Sequence, residues 1–221
     1  MNGVRAVIFD MDGVIFDSER ATFLGWKELA EKYGFADLEI PYRQCIGVNA
    51  ARSREIFLDF YGADFPYDRL CREQSENYHR KYDGGRLPLK LGVRELLEDL
   101  ARRRLFVAIA SSTRTVTVEA QIRDAGLAGY FQRIVGGDQV ARSKPEPDIF
   151  LEALRGTDIA PGEAVVLEDS FNGIRAAARA GMIPVMVPDM LPPDREMEQL
   201  ARVILPDLTE VPAFLDTLQE G

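Results

Sequence analysis

Short runs of apolar residues recur along the chain, and polar or turn-forming residues follow each of them. The first two are residues 4–9, which precede Asp10, and residues 106–110, which precede Ser111. Further runs are residues 133–135, 164–167, 183–187 and 202–205. A short apolar run fits either a buried strand or a buried helix, and the flanking turn residues and the spacing favour strands here.

The segments between these runs have helical periodicity. One apolar stripe consists of Val93, Leu96, Leu97 and Leu100. Another ends just before Gly126, a residue type that commonly stops a helix. Strands that alternate with helices pair in parallel through right-handed crossovers. The sequence therefore predicts an open α/β sheet as the core of the protein.

The first and second strands are separated by about 95 residues, far more than one crossover helix needs. Two apolar stripes in this interval have helical spacing: Phe23, Trp26, Ala30 and Tyr33, and then Ile56, Phe57, Phe60 and Tyr61. Residues 67–82 form a more polar helical stretch, and no convincing strand is evident. We therefore expect an all-helical insertion over residues 17–87, between two parts of an α/β core at residues 1–16 and 88–221.

Composition narrows the possible partners and the compartment. The 221 residues carry a net charge of −9, which argues against bulk nucleic-acid binding because that needs a basic footprint. The chain has no apolar run of 18 residues and no evident signal peptide, so we expect no membrane association. Cys45 and Cys71 are too few for a disulfide framework, which favours the cytoplasm. The sequence leaves the oligomeric state open, and a monomer is the simplest expectation.

Polar residues follow four of the predicted strands. Open α/β sheets bind ligands beyond the carboxyl ends of their strands, so these residues are expected to meet at one edge. They are Asp10 and Asp12 after the first strand, Ser111 and Ser112 after the second, Ser143 and Lys144 after the third, and Glu168 and Asp169 at the fourth.

Each of these groups has a possible task in phosphoryl transfer. A carboxylate such as Asp10 can attack phosphorus and form an aspartyl-phosphate. Asp12 lies two residues on, so in an extended backbone it can point the same way and act as general acid and base. Glu168 and Asp169 supply the hard oxygen ligands that suit Mg²⁺.

The remaining groups suit the phosphate itself. Ser111 and Ser112 can bind a phosphate oxygen, and Lys144 adds a point charge for the phosphate and for Asp10. Taken alone, Ser111 to Thr113 also fits a helix N-cap, and Glu168 with Asp169 also fits a charge pair at a helix start.

The combined set of Asp10-x-Asp12-Gly13, Ser111, Lys144-Pro145 and Glu168-Asp169 resembles the haloacid dehalogenase superfamily. The insertion is similar to the helical cap of its β-phosphoglucomutase-like branch, which includes sugar-phosphate phosphatases and mutases. The resemblance implies a Rossmann-like core, a cap that closes over substrate, and an essential Mg²⁺ held by Asp10, Asp12, Glu168 and Asp169. It also implies that Asp12 contributes its backbone carbonyl to the metal. Asn49, in the insertion, is a further candidate for substrate binding.

These features together predict a Mg²⁺-dependent phosphatase that hydrolyses a small phosphorylated metabolite, such as a sugar phosphate. The first alternative is a sugar-phosphate mutase. Mutases of the branch that this chain resembles carry a histidine at the position of Thr22 and an arginine at the position of Ala50, so both departures favour hydrolysis. The remote alternative is a phosphate-receiving signalling domain, which lacks both the large insertion and the second aspartate of the first motif.

Overall fold

The computed structural model describes residues 3–46 and 50–219. The strands are β1 (Ala6–Phe9), β2 (Phe106–Ser111), β3 (Arg133–Gly136), β4 (Ala164–Glu168), β5 (Ile183–Met186) and β6 (Val203–Ile204). The helices are α1 (Ser18–Tyr33), α2 (Glu39–Cys45), α3 (Ala50–Tyr61), α4 (Tyr67–Tyr82), α5 (Val93–Arg103), α6 (Thr115–Asp124), α7 (Asp148–Leu154), α8 (Phe171–Arg179), α9 (Arg195–Leu200) and α10 (Val211–Gln219). Over these ranges, no helix combines the length and the apolar character that crossing a bilayer demands.

The strands form one six-stranded sheet in the order β3-β2-β1-β4-β5-β6. Every pairing is parallel, which confirms the predicted α/β core. The chain leaves β1 toward β2 on one side and later returns to β4 on the other. Strand β1 therefore lies at the point where the strand order reverses, and ligand sites form there in open sheets.

Helices cover both faces of the sheet, as a parallel sheet requires. Along β1, Val7 and Phe9 pack into the layer that contains α5, α6 and α10. Ala6 and Ile8 point the other way, into the layer that contains α7 and α8. This alternation follows from the two-residue period of a strand. Both faces of β1 are thus buried, and only its carboxyl end is open for chemistry.

The four helices α1 to α4 form a helical cap with an apolar core of its own. Trp26 of α1 lies at its centre, with ring centroids 4.8 Å from Phe57 and 5.7 Å from Tyr67. Helix α1 packs against α4, and α2 packs against α3. The apolar pattern did not predict α2, a short helix with Pro41 in its first turn.

Two chain segments connect the cap with the sheet, and they lie side by side. Phe16 on the outgoing segment forms an antiparallel bridge with Leu89 on the returning one. The backbone N–H of Asp17 donates to the carbonyl of Pro88 at 2.9 Å, and that of Lys90 donates to Ile15 at 2.9 Å. Division of the chain at residues 16/17 and 87/88 remains a prediction.

Candidate active site

Strand register brings two of the predicted carboxylates together. Phe9 pairs with Ile109 on one side and with Leu167 on the other. Asp10 and Glu168, the next residue along each of β1 and β4, therefore lie beside each other. Both are buried, with Asp10 7% exposed and Glu168 fully enclosed. Two buried carboxylates need a counter-charge.

Lys144 supplies that charge from the loop between β3 and α7. Its Nζ donates to Asp10 Oδ1 at 2.6 Å, to Glu168 Oε1 at 2.7 Å and to the carbonyl of Ala110 at 3.0 Å. Burial alone would lower the pKa of Lys144, but attraction to Asp10 and Glu168 outweighs burial and raises the pKa above its usual value. Lys144 is therefore a fixed positive charge that orients both carboxylates.

The second oxygen of Glu168 is held by the start of α8. Glu168 Oε2 accepts hydrogen bonds from the backbone N–H and the hydroxyl of Ser170, each at 2.9 Å. Ser170 is the N-cap of α8, and its Oγ accepts the N–H of Gly173 at 3.0 Å. A Cβ at Gly173 would overlap the Glu168 carboxyl group. Both oxygens of Glu168 are thus engaged by the protein, which makes this residue an orienting group for its neighbours.

The carboxylates of Asp10, Glu168 and Asp169 form a group with metal-binding geometry. One oxygen from each lies within 4.8 Å of the others. Gly13 makes room for this group, because a Cβ at this position would overlap the Asp169 carboxyl. The φ angle of Gly13, 78°, also lies in the region that favours glycine. An all-carboxylate donor set fits Mg²⁺. Since Glu168 is already bound to Lys144 and Ser170, Asp10 and Asp169 are the carboxylates best placed for an ion.

Electrostatics also favour a cation here. Burial raises the pKa of Asp10 to about 7; Lys144 opposes this rise, and Glu168 and Asp12 add to it. Burial, followed by repulsion from Glu168 and Asp10, raises the pKa of Asp169 well above its usual value. Burial therefore disfavours the ionised form of both groups, and a bound cation would favour it.

Two hydroxyl groups fix the carboxylate of Asp12. Ser18, the first residue of α1, donates to Asp12 Oδ1 at 2.8 Å, and Thr113, which follows β2, donates to Oδ2 at 2.9 Å. Sequence reasoning missed both contacts. Their positions offered some indication, since Ser18 opens the insertion and Thr113 continues the run of hydroxyl residues after β2.

Ser111 and Ser112 differ in their placement. Ser111 is fully buried, and its Oγ accepts the backbone N–H of Thr113 at 3.1 Å. Ser112 is exposed and lines the cleft described below. The alternative reading of these residues as a helix N-cap is wrong, because α6 begins at Thr115 and Asp138 accepts that residue's N–H at 2.7 Å.

A cleft of about 830 Å³ separates the cap from the carboxyl edge of the sheet. Seven of the residues predicted to meet at this edge line the cleft: Asp10, Asp12, Ser112, Ser143, Lys144, Glu168 and Asp169. Ser111 is not among the residues that line it, and Asn49 lies outside the described residues. The cap contributes Glu19, Ile46 and Arg52 to the lining of the cleft. Helix α8 contributes Phe171, Asn172 and Arg175, and the segment after β5 contributes Met190 and Leu191. Sequence reasoning identified the floor of this cleft and missed most of its walls.

Comparison with known families agrees with this arrangement. Residues 7–187 match the family model described as haloacid dehalogenase-like hydrolase. The chain belongs to this family. The match extends from β1 through β5 and so includes the cap and every carboxylate of the cleft floor.

Relatives of this haloacid dehalogenase-like hydrolase include proteins named as phosphatases and one named as a mutase. A phosphorylated carbohydrates phosphatase of Thermotoga maritima is 34% identical over 81% of this chain and 82% of its own length. A beta-phosphoglucomutase of Bacillus subtilis is 34% identical over 83% of each chain. The crystal structure of CbbY from Rhodobacter sphaeroides in complex with phosphate has a TM-score of 0.73 and 30% identity, and the alignment covers 96% of this chain and 99% of that one.

Proposed function

We propose that this protein is a Mg²⁺-dependent phosphatase that hydrolyses a small phosphorylated metabolite, with a sugar phosphate as the favoured class, through an aspartyl-phosphate on Asp10. The observation that carries the proposal is the buried Asp10 carboxylate, held at 2.6 Å by Lys144 on the floor of the cleft. The phosphorylated carbohydrates phosphatase among the relatives supports the substrate class, and the phosphate bound to CbbY supports an anion site in this fold.

The first half-reaction transfers the phosphoryl group to the protein. A carboxylate oxygen of Asp10 attacks phosphorus while the bond from phosphorus to the leaving alcohol oxygen breaks. Asp12, fixed by Ser18 and Thr113, gives its carboxyl proton to that oxygen, so the alcohol leaves neutral. Lys144 stabilises the phosphate oxygens, and the hydroxyl-rich segment after β2 binds them.

The second half-reaction releases phosphate. The Asp12 carboxylate accepts a proton from water, and the water oxygen attacks the phosphorus of the aspartyl-phosphate. The acyl-phosphate bond breaks, inorganic phosphate forms, and the Asp10 carboxylate is restored. Asp12 thus ends each cycle protonated and ready for the next substrate.

Asp10 and Asp169 would hold the Mg²⁺ ion, with the backbone carbonyl of Asp12 as a further ligand and Glu168 fixed behind them. When bound, the ion supplies positive charge that screens the attacking carboxylate from the phosphate. Lys144 cannot provide all of this charge, because its single positive charge is already shared between Asp10 and Glu168.

A mutase is the second candidate, and one contact favours it. Arg52 of α3 lines the cleft, where a second phosphate of a bisphosphate intermediate would lie, whereas Arg54 pairs with Asp68 at 3.0 Å on the exposed surface. Arg52 is also paired with Glu55 at 2.8 Å. With Thr22 and Ala50 at the positions of the mutase histidine and arginine, hydrolysis remains the better supported activity.

The test is a screen of phosphorylated sugars, nucleotides and para-nitrophenyl phosphate, in which released phosphate and isomerised sugar are both measured, with Mg²⁺ and after chelation. We expect Mg²⁺-dependent phosphate release without isomer. Asp10→Asn should abolish release, and the exposed Asp64→Asn on the cap serves as a matched control that should retain it.

Two results would contradict the proposal. One is full activity after complete removal of divalent ions. The other is rapid interconversion of hexose 1-phosphate and 6-phosphate with little phosphate released, which would establish the mutase. A covalent phosphoryl or beryllofluoride adduct on a residue other than Asp10 would overturn the assignment of the nucleophile.

A further inference from the structure

A second, smaller cavity lies inside the cap and opens beside the catalytic cleft. It has a volume of about 160 Å³ and an aromatic wall formed by Trp26, Tyr42, Phe57 and Tyr67. Glu19 and Ile46 line both this cavity and the catalytic cleft. Glu19 therefore lies where a molecule bound in the cleft would extend into the cap.

The Glu19 carboxyl lies in a setting that favours hydrogen-bond donors. None of the described residues that line the cap cavity is basic. Burial, together with repulsion from Asp12 and Asp189, raises the pKa of Glu19 to about 7. A largely buried carboxylate in a cavity whose described lining includes no basic residue gains from a ligand that brings hydroxyl or ammonium donors. The same carboxylate would repel a phosphate or carboxylate group.

Glu19 is also on the side of the cleft where the leaving alcohol must lie. In the proposed reaction, Asp12 protonates the leaving oxygen, so the alcohol lies against Asp12. Glu19 and Asp12 both line the catalytic cleft. Glu19 lies in the first turn of α1, directly after Ser18, which is hydrogen-bonded to Asp12. A group attached to the leaving oxygen would thus extend toward Glu19.

We propose that Glu19 selects the leaving group: it accepts hydrogen bonds from hydroxyl or ammonium donors of the alcohol, whose far end enters the aromatic cavity of the cap, and it disfavours alcohols that carry a second anion at that place. This inference rests on the proposed phosphatase function and narrows its substrates to monophosphates of donor-rich, uncharged or cationic alcohols.

The test compares Glu19→Gln and Glu19→Ala with the wild type on four substrates: a hexose 6-phosphate, the matching 2-amino-2-deoxyhexose 6-phosphate, a hexose 1,6-bisphosphate and para-nitrophenyl phosphate. Loss of a hydrogen bond to a charged group should lower kcat/KM for the two monophosphates by about 10-fold or more, mainly through KM. Turnover of para-nitrophenyl phosphate, whose leaving group has no such donors, should change little. The value of kcat/KM for the bisphosphate should rise as repulsion is removed.

The matched control is Glu31→Ala, an exposed glutamate on the same helix, which should match the wild type on every substrate. A larger effect of the Glu19 variants on the amino sugar identifies an ammonium group as the ligand, and an equal effect on both sugars identifies hydroxyl groups. An equal loss on all substrates, including para-nitrophenyl phosphate, would overturn the inference, because Glu19 would then act on the chemical step. Unchanged kcat/KM for the sugars would also overturn it. If the wild type releases no phosphate from any substrate, the proposed function itself fails.

Discussion

Replacement of Lys144 by methionine should strongly destabilise the metal-free protein. The Lys144 side chain is 6% exposed, and those of its partners Asp10 and Glu168 are 10% and 0% exposed. Methionine keeps most of the volume but leaves two buried carboxylates without their counter-charge. Breaking a buried ion pair in this way costs about 3–5 kcal/mol. With a urea m-value of about 2 kcal/mol/M, the unfolding midpoint should fall by about 2 M.

A second lysine provides a matched control for this experiment. Lys32 binds Glu73 with an N–O distance of 2.6 Å, the same as the distance from Lys144 to Asp10. The Lys32 side chain is 59% exposed, so Lys32→Met should leave the midpoint close to that of the wild type, because exposed pairs contribute little. Unfolding should be followed in chelator by far-ultraviolet circular dichroism rather than by tryptophan fluorescence, because the single tryptophan, Trp26, lies in the cap and would report on the cap alone.

The size of the Lys144→Met effect should depend on pH. Without the lysine, nothing opposes the effect of burial on Asp10, so its pKa in the folded state rises further above that in the unfolded chain. The folded state then binds more protons, so its stability falls as pH rises. In the wild type, Lys144 stays protonated between pH 5 and 8, because its pKa lies above its usual value, and it opposes the rise that burial causes in the pKa of Asp10. The fall in the unfolding midpoint caused by Lys144→Met should therefore be larger at pH 8 than at pH 5. Equal midpoints for the two lysine variants, or a fall that is constant with pH, would refute this reasoning.

Two other predictions concern the catalytic groups. Asp12→Asn should slow the hydrolysis of alkyl phosphates by about 10²–10⁴-fold and that of para-nitrophenyl phosphate much less, since only poor leaving groups need a proton. Equal losses of kcat/KM for both kinds of substrate in steady-state kinetics would contradict the role of Asp12 as an acid. The thermal stabilisation given by Mg²⁺ over chelator should increase from pH 5 to 8, because Asp10, with a pKa of about 7, must lose its proton before it can bind the ion. A stabilisation that does not change with pH would argue against Asp10 as a ligand.

The fold was predictable because its core strands are short and almost wholly apolar. Residues buried on both faces leave a continuous apolar run, and the structure confirms a strand within each run that was predicted. The stripe on α5 was equally clear, since Val93, Leu96, Leu97 and Leu100 are all buried. Helix α2 was not predictable in this way. It is short, contains Pro41, and buries only part of one face.

The floor of the site could be predicted, whereas its hydrogen bonds and walls could not. The carboxyl ends of parallel strands meet at one edge of the sheet, which is why Asp10 and Glu168 could be placed at the same edge in advance. The contact of Ser18 with Asp12, by contrast, depends on how the turn at residues 11–16 leads into α1. Glu19 reaches the cleft only because the cap folds back over the sheet edge, and no local pattern encodes that placement.

The balance of charge in the cleft supports the proposed requirement for a metal ion. At an effective dielectric constant near 20, two like charges 4 Å apart repel each other by about 4 kcal/mol. A phosphate that approaches Asp10 would meet Asp12 and Asp169 as well, and the charge of Lys144 is already shared between Asp10 and Glu168. Protonation of Asp10 would relieve this repulsion but would remove the nucleophile. A divalent ion bound by Asp10 and Asp169 would relieve it and would keep Asp10 ionised, so in the proposed reaction the same ion would serve both substrate binding and attack.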